Sequence, residues 1–277
     1  MAWNDIARGE HRREGLRYPR DLTDLEWVMI SAHLPGPRPG GRPRTTSLRD
    51  VMEAILYIAS SGCQWRMLPK EFPAVSTVRG YFYAWRDIGL WAAINQALVE
   101  GARILEGRSA QPTAGVIDSQ SVKTTESGGV TGFDAGKKIK GRKRHIMTDT
   151  LGLMLIAVVH SAGIQDRDGA PFVFKAVAAR FPGVHHVFAN GGYAGDKLRE
   201  ALLPLGRFTL EIIKRRDTAR GFVLLPRRWV VERTLAWLGR CRRLAKDWEG
   251  TIESSTAWAF IASIRMLSRR VARLGFA

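Results

Sequence analysis

Apolar positions follow two different periods along this chain, and the change falls near residue 108. Before it they recur three or four residues apart, the spacing of helices buried along one face. Thr23-Asp24-Leu25-Glu26 has the form of a capping box, and Trp27, Ile30 and Leu34 follow it. Residues 46–61 place Val51, Ala54, Ile55 and Ile58 on one helical face. Ser76 is positioned to cap a helix through Val78, Tyr81, Phe82 and Trp85, and an alanine-rich helix runs from about Leu90 to Leu105. Glycine and proline break the pattern at 36–44 and 62–69.

After 108, short apolar runs alternate with helical patterns. Strands are expected at 114–119, 143–149, 153–160, 184–190 and 208–214, and helices at 168–181, 195–204, 228–246 and 254–273. Thr150-Leu151-Gly152 joins two strands as a hairpin. Three early strands followed by alternating helix and strand predict an α/β fold, a mixed sheet flanked by helices. With Gly107-Arg108-Ser109-Ala110-Gln111-Pro112 read as a linker, the organisation is a basic arm (1–16), a helical domain (17–107) and an α/β domain (108–277).

Charge narrows the functional classes. Forty-three Lys and Arg against 26 Asp and Glu leave +17, which calls for a polyanionic partner. The basic residues are spread over structured segments rather than one tail, which favours a protein that wraps nucleic acid. Short helices ending in a basic, aromatic one read as an all-α, helix-turn-helix-like DNA-binding domain, the alternative being a plain helical bundle. Arg38, Arg42 and Arg44 lie in the Gly/Pro loop, either as a minor-groove arm or as an ordinary connection. Arg79 and Arg86 sit on the basic helix, and Lys137, Lys138, Lys140, Arg142, Lys143 and Arg144 form a run before the second strand. Such a run is either a solvated face or, beside an acidic site, a phosphate clamp. No run approaches the roughly 18 uncharged apolar residues that span a bilayer. The N-terminus lacks a signal-peptide layout, and Cys63 and Cys241 show no metal spacing, as expected of a reduced, cytoplasmic protein associated with DNA.

Candidate chemistry sits at the ends of elements. Val116-Ile117 reads as a strand covered on both faces, and Asp118 follows directly. A buried carboxylate is costly unless paired, hydrogen-bonded or bound to metal. The plain alternative is that Asp118 only closes the strand. Asn190 follows Val187-Phe188-Ala189 and precedes Gly191-Gly192-Tyr193. Glu232 lies in an expected helix with Arg228, Ala236, Gly239 and Arg243 along its strip, small residues that leave room between two arginines. A surface ion pair of Glu232 with Arg228 is the other reading.

These stretches resemble a known family, the bacterial insertion-sequence DDE transposases, in the branch named after the fifth insertion sequence. Tyr18-Pro19 through Trp27, Gly41-Arg42-Pro43, the stretch Ser61 to Pro69 and Trp85-Arg86 are similar to its N-terminal domain. Val116 to Thr124 resembles the first catalytic motif, and Trp229 to Thr234 with Arg242 to Asp247 the third. Gly141 to His145 and Gln165 to Ala170 also match family stretches. The resemblance implies an RNase H-like catalytic domain, with Asp118, position 190 and Glu232 as catalytic and metal-binding residues. It implies Mg2+, with Mn2+ as a substitute, and two-metal phosphoryl transfer that cuts DNA and joins it to a target. Partners would be double-stranded DNA with terminal inverted repeats, target DNA and a second copy in a homodimer. Beyond the loop, helix and run already named, Lys123, Arg228, Arg233, Arg240, Arg243 and Lys246 complete the expected DNA-binding set. One residue departs from the pattern. The family carries Asp where this chain has Asn190, so the cluster falls from three formal negative charges to two and the chain is expected to be inactive or impaired. A non-catalytic DNA-binding protein on the same fold is the alternative, and a stand-alone RNase H-like nuclease a third reading.

Overall fold

The structure is a computed structural model and describes residue 13, residues 15–36, 40, 43–126, 128–213 and 227–275. Four helices come first: α1 (Asp24–Ser31), α2 (Leu48–Ser61), α3 (Val75–Asp87) and α4 (Leu90–Leu105). The capping box before α1 is closed in both directions: Glu26 N–H donates to Thr23 Oγ1 (3.3 Å) and Thr23 N–H donates to Glu26 Oε2 (3.0 Å). Helix α2 stops at Gly62, whose left-handed φ of +70° turns the chain and returns its N–H to Ile58 O. A Cβ there would stand 3.0 Å from Arg242, so close approach requires glycine as well. Ser76 does not cap α3. The helix starts two residues earlier than such a cap would set it, with Ala74 at the N-cap, and no side chain caps it.

The sheet follows as β1 (Ala114–Lys123), β2 (Gly132–Asp134), β3 (Ile139–Asp149), β4 (Met154–Ser161), β5 (His186–Ala189) and β6 (Thr209–Ile212). Interleaved and trailing helices are α5 (Asp166–Arg180), α6 (Asp196–Leu202), α7 (Arg228–Leu238) and α8 (Ile252–Leu274). Strand order is β2-β3-β1-β5-β6, with β4 also paired to β3. β1 runs antiparallel to β3 and parallel to β5, and β3 with β4 forms the expected hairpin. An N-terminal helical region thus precedes a mixed sheet flanked by helices, the expected RNase H-like arrangement.

Three boundaries differ from expectation, each with consequences for function. β1 extends to Lys123, so Asp118 stands mid-strand. β3 begins at Ile139 and takes in Arg142, Lys143 and Arg144, which therefore lie between two paired neighbours. The helix expected over 228–246 ends at Leu238; a turn and a short 3-10 segment at 242–244 follow, which removes Arg243 from the helical strip of Glu232.

One apolar core joins the helical region to the sheet. The long helix α8 is its spine: Trp258 stacks on Phe82 of α3 (4.7 Å) and lies 5.9 Å from Trp65. Buried polar contacts tie the same layers, Asn95 Nδ2 donating to Met154 O (2.8 Å) and the Arg103 guanidinium pairing with Asp149. No helix among the described residues is long and apolar enough to cross a membrane.

Candidate active site

Asp118 is held at the centre of the sheet because β1 is flanked on both edges, with Ile146 of β3 as its register partner. On the other edge β5 runs parallel and ends at Ala189, so Asn190 emerges beside Asp118. Asn190 Nδ2 donates to Asp118 Oδ1 at 3.1 Å, and the same oxygen accepts Ser119 N–H at 2.8 Å. Asn190 Oδ1 turns the other way and accepts Gly192 N–H at 2.7 Å, which caps the short turn Gly191–Tyr193. Glu232 projects from α7, a helix packed on β1, and Arg228 Nη2 pairs with Glu232 Oε1 at 3.0 Å. The pair is partly exposed, and its two charges act on Asp118 in opposite senses.

Burial pushes the Asp118 carboxyl up to about 6; the Ser119 N–H and the Lys137 charge oppose the rise, Glu232 adds to it, and Arg228 opposes it. An acid whose folded-state pKa is raised favours the folded state while protonated and costs stability as pH climbs through that value. Asp118→Asn should therefore melt higher than the parent at pH 8 in chelator, by about 5 °C, with the gain gone at pH 4. A constant difference across that range, read by differential scanning calorimetry, would remove Asp118 as the source.

Behind the pair lies a polar network that the sequence does not announce. Ser119 Oγ donates to Asp166 Oδ1 (2.8 Å), and Lys143 Nζ contacts the same oxygen at 2.8 Å. Burial raises the Asp166 carboxyl, but His145, Lys143 and Ser119 together hold it well below its usual range. His160 Nε2 lies 2.9 Å from His145 Nδ1, so one proton serves both atoms; burial pushes both rings below the usual imidazole value, His160 to about 4. Lys137 Nζ reaches Ser119 O (3.1 Å) and Ser119 Oγ (3.3 Å), next to Asp118. The one sequence signal for Asp166 is its place at the start of a helix within the stretch Gln165 to Ala170.

A divalent cation needs hard oxygen donors facing one point. Asp118 and Glu232 carry such oxygens, but Asn190 presents its NH2 to Asp118 and spends its oxygen on Gly192. Flipping the amide would set NH2 against the Gly192 N–H, so the turn and the cation compete for one oxygen. Among the described residues no three His, Cys, Asp or Glu side chains are placed to hold a metal. The residues present do not fit the group; a carboxylate in place of the Asn190 amide would supply one oxygen to the turn and one to a cation.

Several expected DNA-binding residues lie elsewhere than on a binding face. Arg142, Lys143, Arg144 and Arg243 are buried and committed inside the protein, which corrects their reading as phosphate contacts. Arg142 pairs with Asp247 (3.0 Å), Lys143 with Asp166, and Arg243 with Glu249 (2.5 Å), while Arg144 Nη1 donates to Leu244 O (2.7 Å). Arg233 is sandwiched by Trp229 and Trp237 (4.3 and 4.6 Å) and donates to Leu151 O. Arg86 bonds Asp87 and Ser254, whereas Arg79 is exposed beside Tyr83 and Trp65. Arg44 and Arg240 are exposed. Arg38 and Arg42 lie outside the described residues. Lys123, Lys138, Lys140 and Lys246 converge instead on one open cleft of about 900 Å³.

Comparison with known proteins gives the family. Residues 109–267, more than half of the chain, match the family described as "Transposase DDE domain", and the chain belongs to it. Residues 22–95 match "Putative transposase of IS4/5 family". DDE transposase domains generally use divalent metals. The chain is 35% identical over 111 residues to the "Putative transposase for insertion sequence element IS402" of Burkholderia cepacia, covering 38% of this chain and 52% of that protein. It is 33% identical over 69 residues to the "Uncharacterized protein y4sN" of Sinorhizobium fredii, 25% of this chain and 55% of that one. It is 25% identical over 113 residues to the "Insertion element IS402 uncharacterized 16.2 kDa protein" of Burkholderia cepacia, 39% and 76% respectively. The chain spans about half the length of the first two relatives. No solved structure matches it.

Proposed function

We propose that this chain is a DNA transposase that binds terminal inverted repeats as a homodimer, cuts DNA strands at a cluster formed by Asp118, position 190 and Glu232, and joins them to target DNA. The observation that carries the reading is the 3.1 Å contact between Asp118 on β1 and Asn190 just past the end of the parallel strand β5, with Glu232 on the helix packed against β1. Membership of the DDE family and a net charge of +17 support it. The N-terminal helices, with exposed Arg79 on α3, would read the repeats in helix-turn-helix fashion. The family's two-metal phosphoryl transfer calls for a third oxygen ligand that Asn190 does not supply, so cleavage by this chain is impaired while DNA binding is kept. The same amide favours the second reading, a DNA-binding protein that performs no chemistry.

Gel shifts on DNA flanking its reading frame test the binding. Paired inverted repeats should be retained over scrambled duplex, with affinity falling steeply as salt rises. Replacing Lys137, Lys138 and Lys140 with Ala should weaken binding and shallow the log–log salt slope by about two to three. A chain that holds no duplex at low salt would end the transposase reading. An unchanged slope would return this run to the solvated surface.

A further inference from the structure

The β2–β3 hairpin points to a second nucleic-acid subsite beside the cluster. β2 alternates: Asp134 turns inward, accepting Ser121 Oγ (2.5 Å) and pairing with Lys143, so Phe133 before it must turn out. Its ring is 57% exposed, forgoing the burial that a phenyl side chain ordinarily gains. Its register partner on β3 is Lys140, so ring and ammonium stem stand side by side on one face. Both line the cleft of about 900 Å³ with Lys123, Lys138 and Lys246, four cations against the single carboxylate Glu126. Lys138 lines it from a left-handed backbone position (φ +54°), a conformation costly for a residue with a side chain. The hairpin turn also carries Lys137, whose ammonium sits on Ser119 next to Asp118. Cleft and cluster are therefore both reached by side chains of one hairpin.

Four lysines select a phosphate backbone, and an exposed aromatic among them selects a base with an open face. Paired bases in a duplex are stacked on both sides and offer a ring nothing to lie against. Resting on the transposase reading above, we infer that this cleft holds an unpaired stretch of DNA next to the cut site, with one base stacked on Phe133 and its phosphates on Lys123, Lys138, Lys140 and Lys246.

The test uses the full chain and two fluorescent DNAs, a blunt duplex and the same duplex with a short single-stranded overhang. Anisotropy should show the overhang bound more tightly. Phe133→Ala should lower overhang affinity about tenfold and leave the blunt duplex unchanged, while Phe133→Trp keeps the preference. Irradiating an overhang with a single 5-iodouracil should crosslink to the peptide that carries Phe133. Equal binding of both DNAs, or equal loss on both from Phe133→Ala, would overturn the subsite and leave the transposase reading standing. Failure to bind either DNA would instead sink that reading. Should Phe133→Ala melt lower than the parent, Phe133→Trp and the crosslink still decide the matter.

Discussion

Asn190→Asp is expected to turn a chain indifferent to divalent cations into one that depends on them. In the present arrangement the amide NH2 stands 3.1 Å from Asp118 Oδ1 and does part of what a cation would do, placing positive hydrogen against a buried carboxylate. An aspartate there puts two carboxylate oxygens at hydrogen-bond distance with no proton between them. Asp118 is already pushed up by burial, and a second charge at that range raises it further. In chelator the variant should therefore melt below the parent at pH 8, and the deficit should close as pH falls and the pair takes up a proton. Millimolar Mg2+ or Mn2+ should restore the melting temperature at pH 8 while leaving the parent unmoved. Gly192 keeps its cap, since either carboxylate oxygen accepts its N–H. Strand cleavage on paired repeat ends should rise on the order of a thousandfold, the worth of several kcal/mol where charge develops in the transition state. Asp118→Ala and Glu232→Ala, each combined with Asn190→Asp, should abolish the gain. No cation-dependent melting and no cleavage, with DNA still bound, would leave position 190 outside the chemistry and put the DNA-binding protein ahead.

What the sequence discloses, and what it hides, divides by the range of the interactions. The capping box before α1 and the hairpin at Thr150-Leu151-Gly152 are local and legible from a few neighbouring residues. Asp118 and Asn190 meet because two apolar strands that lead into polar residues pair in parallel, a placement the alternating pattern implies once the fold is known. The helix expected over 228–246 runs too long because Arg240 to Lys246 carries no proline and ends in a basic, leucine-bearing stretch with fair helical propensity. Tertiary contacts override it: Cys241 and Leu244 are buried, and Arg243 turns to Glu249 and Cys63 O. The basic run misleads most. Arg142, Lys143 and Arg144 are consecutive, so a strand sends them to both of its faces, and both faces are covered. Their partners lie 105 residues away at Asp247, 23 away at Asp166 and 100 away at Leu244 O. Nothing in their own neighbourhood separates such a run from a solvated or DNA-facing one. Only the acidic residue types of two of the partners, Asp247 and Asp166, hint at the pairing.

Arg142 is accordingly expected to act on stability rather than on DNA. Its side chain is fully buried, with its forked donors spent on five acceptors: Asp247 Oδ1 (3.0 Å) and the carbonyls of Val130 (2.8 Å), Glu249 (2.8 Å), Gly250 (3.2 Å) and Thr251 (3.3 Å). Those bonds pin residue 130 and the 247–251 segment, which leads into α8, to β3. Asp247 is as deeply placed and also accepts Ser255 Oγ (2.5 Å) and Glu249 N–H (3.1 Å). Arg142→Met leaves that carboxylate without its countercharge and four carbonyls short of a donor, a loss of about 3–5 kcal/mol. For a chain of this size the melting temperature should fall by roughly 10 °C or more. Lysine should not rescue it, since one ammonium cannot reach acceptors spread around a planar fork. The double variant Arg142→Met/Asp247→Leu should cost clearly less than the sum of the two single changes, because each single change strands the other's charge. A double-mutant cycle by urea titration measures that coupling, and binding of a fixed duplex measures the alternative. Arg142→Met that melts with the parent yet binds duplex more weakly would return Arg142 to the DNA-contacting set.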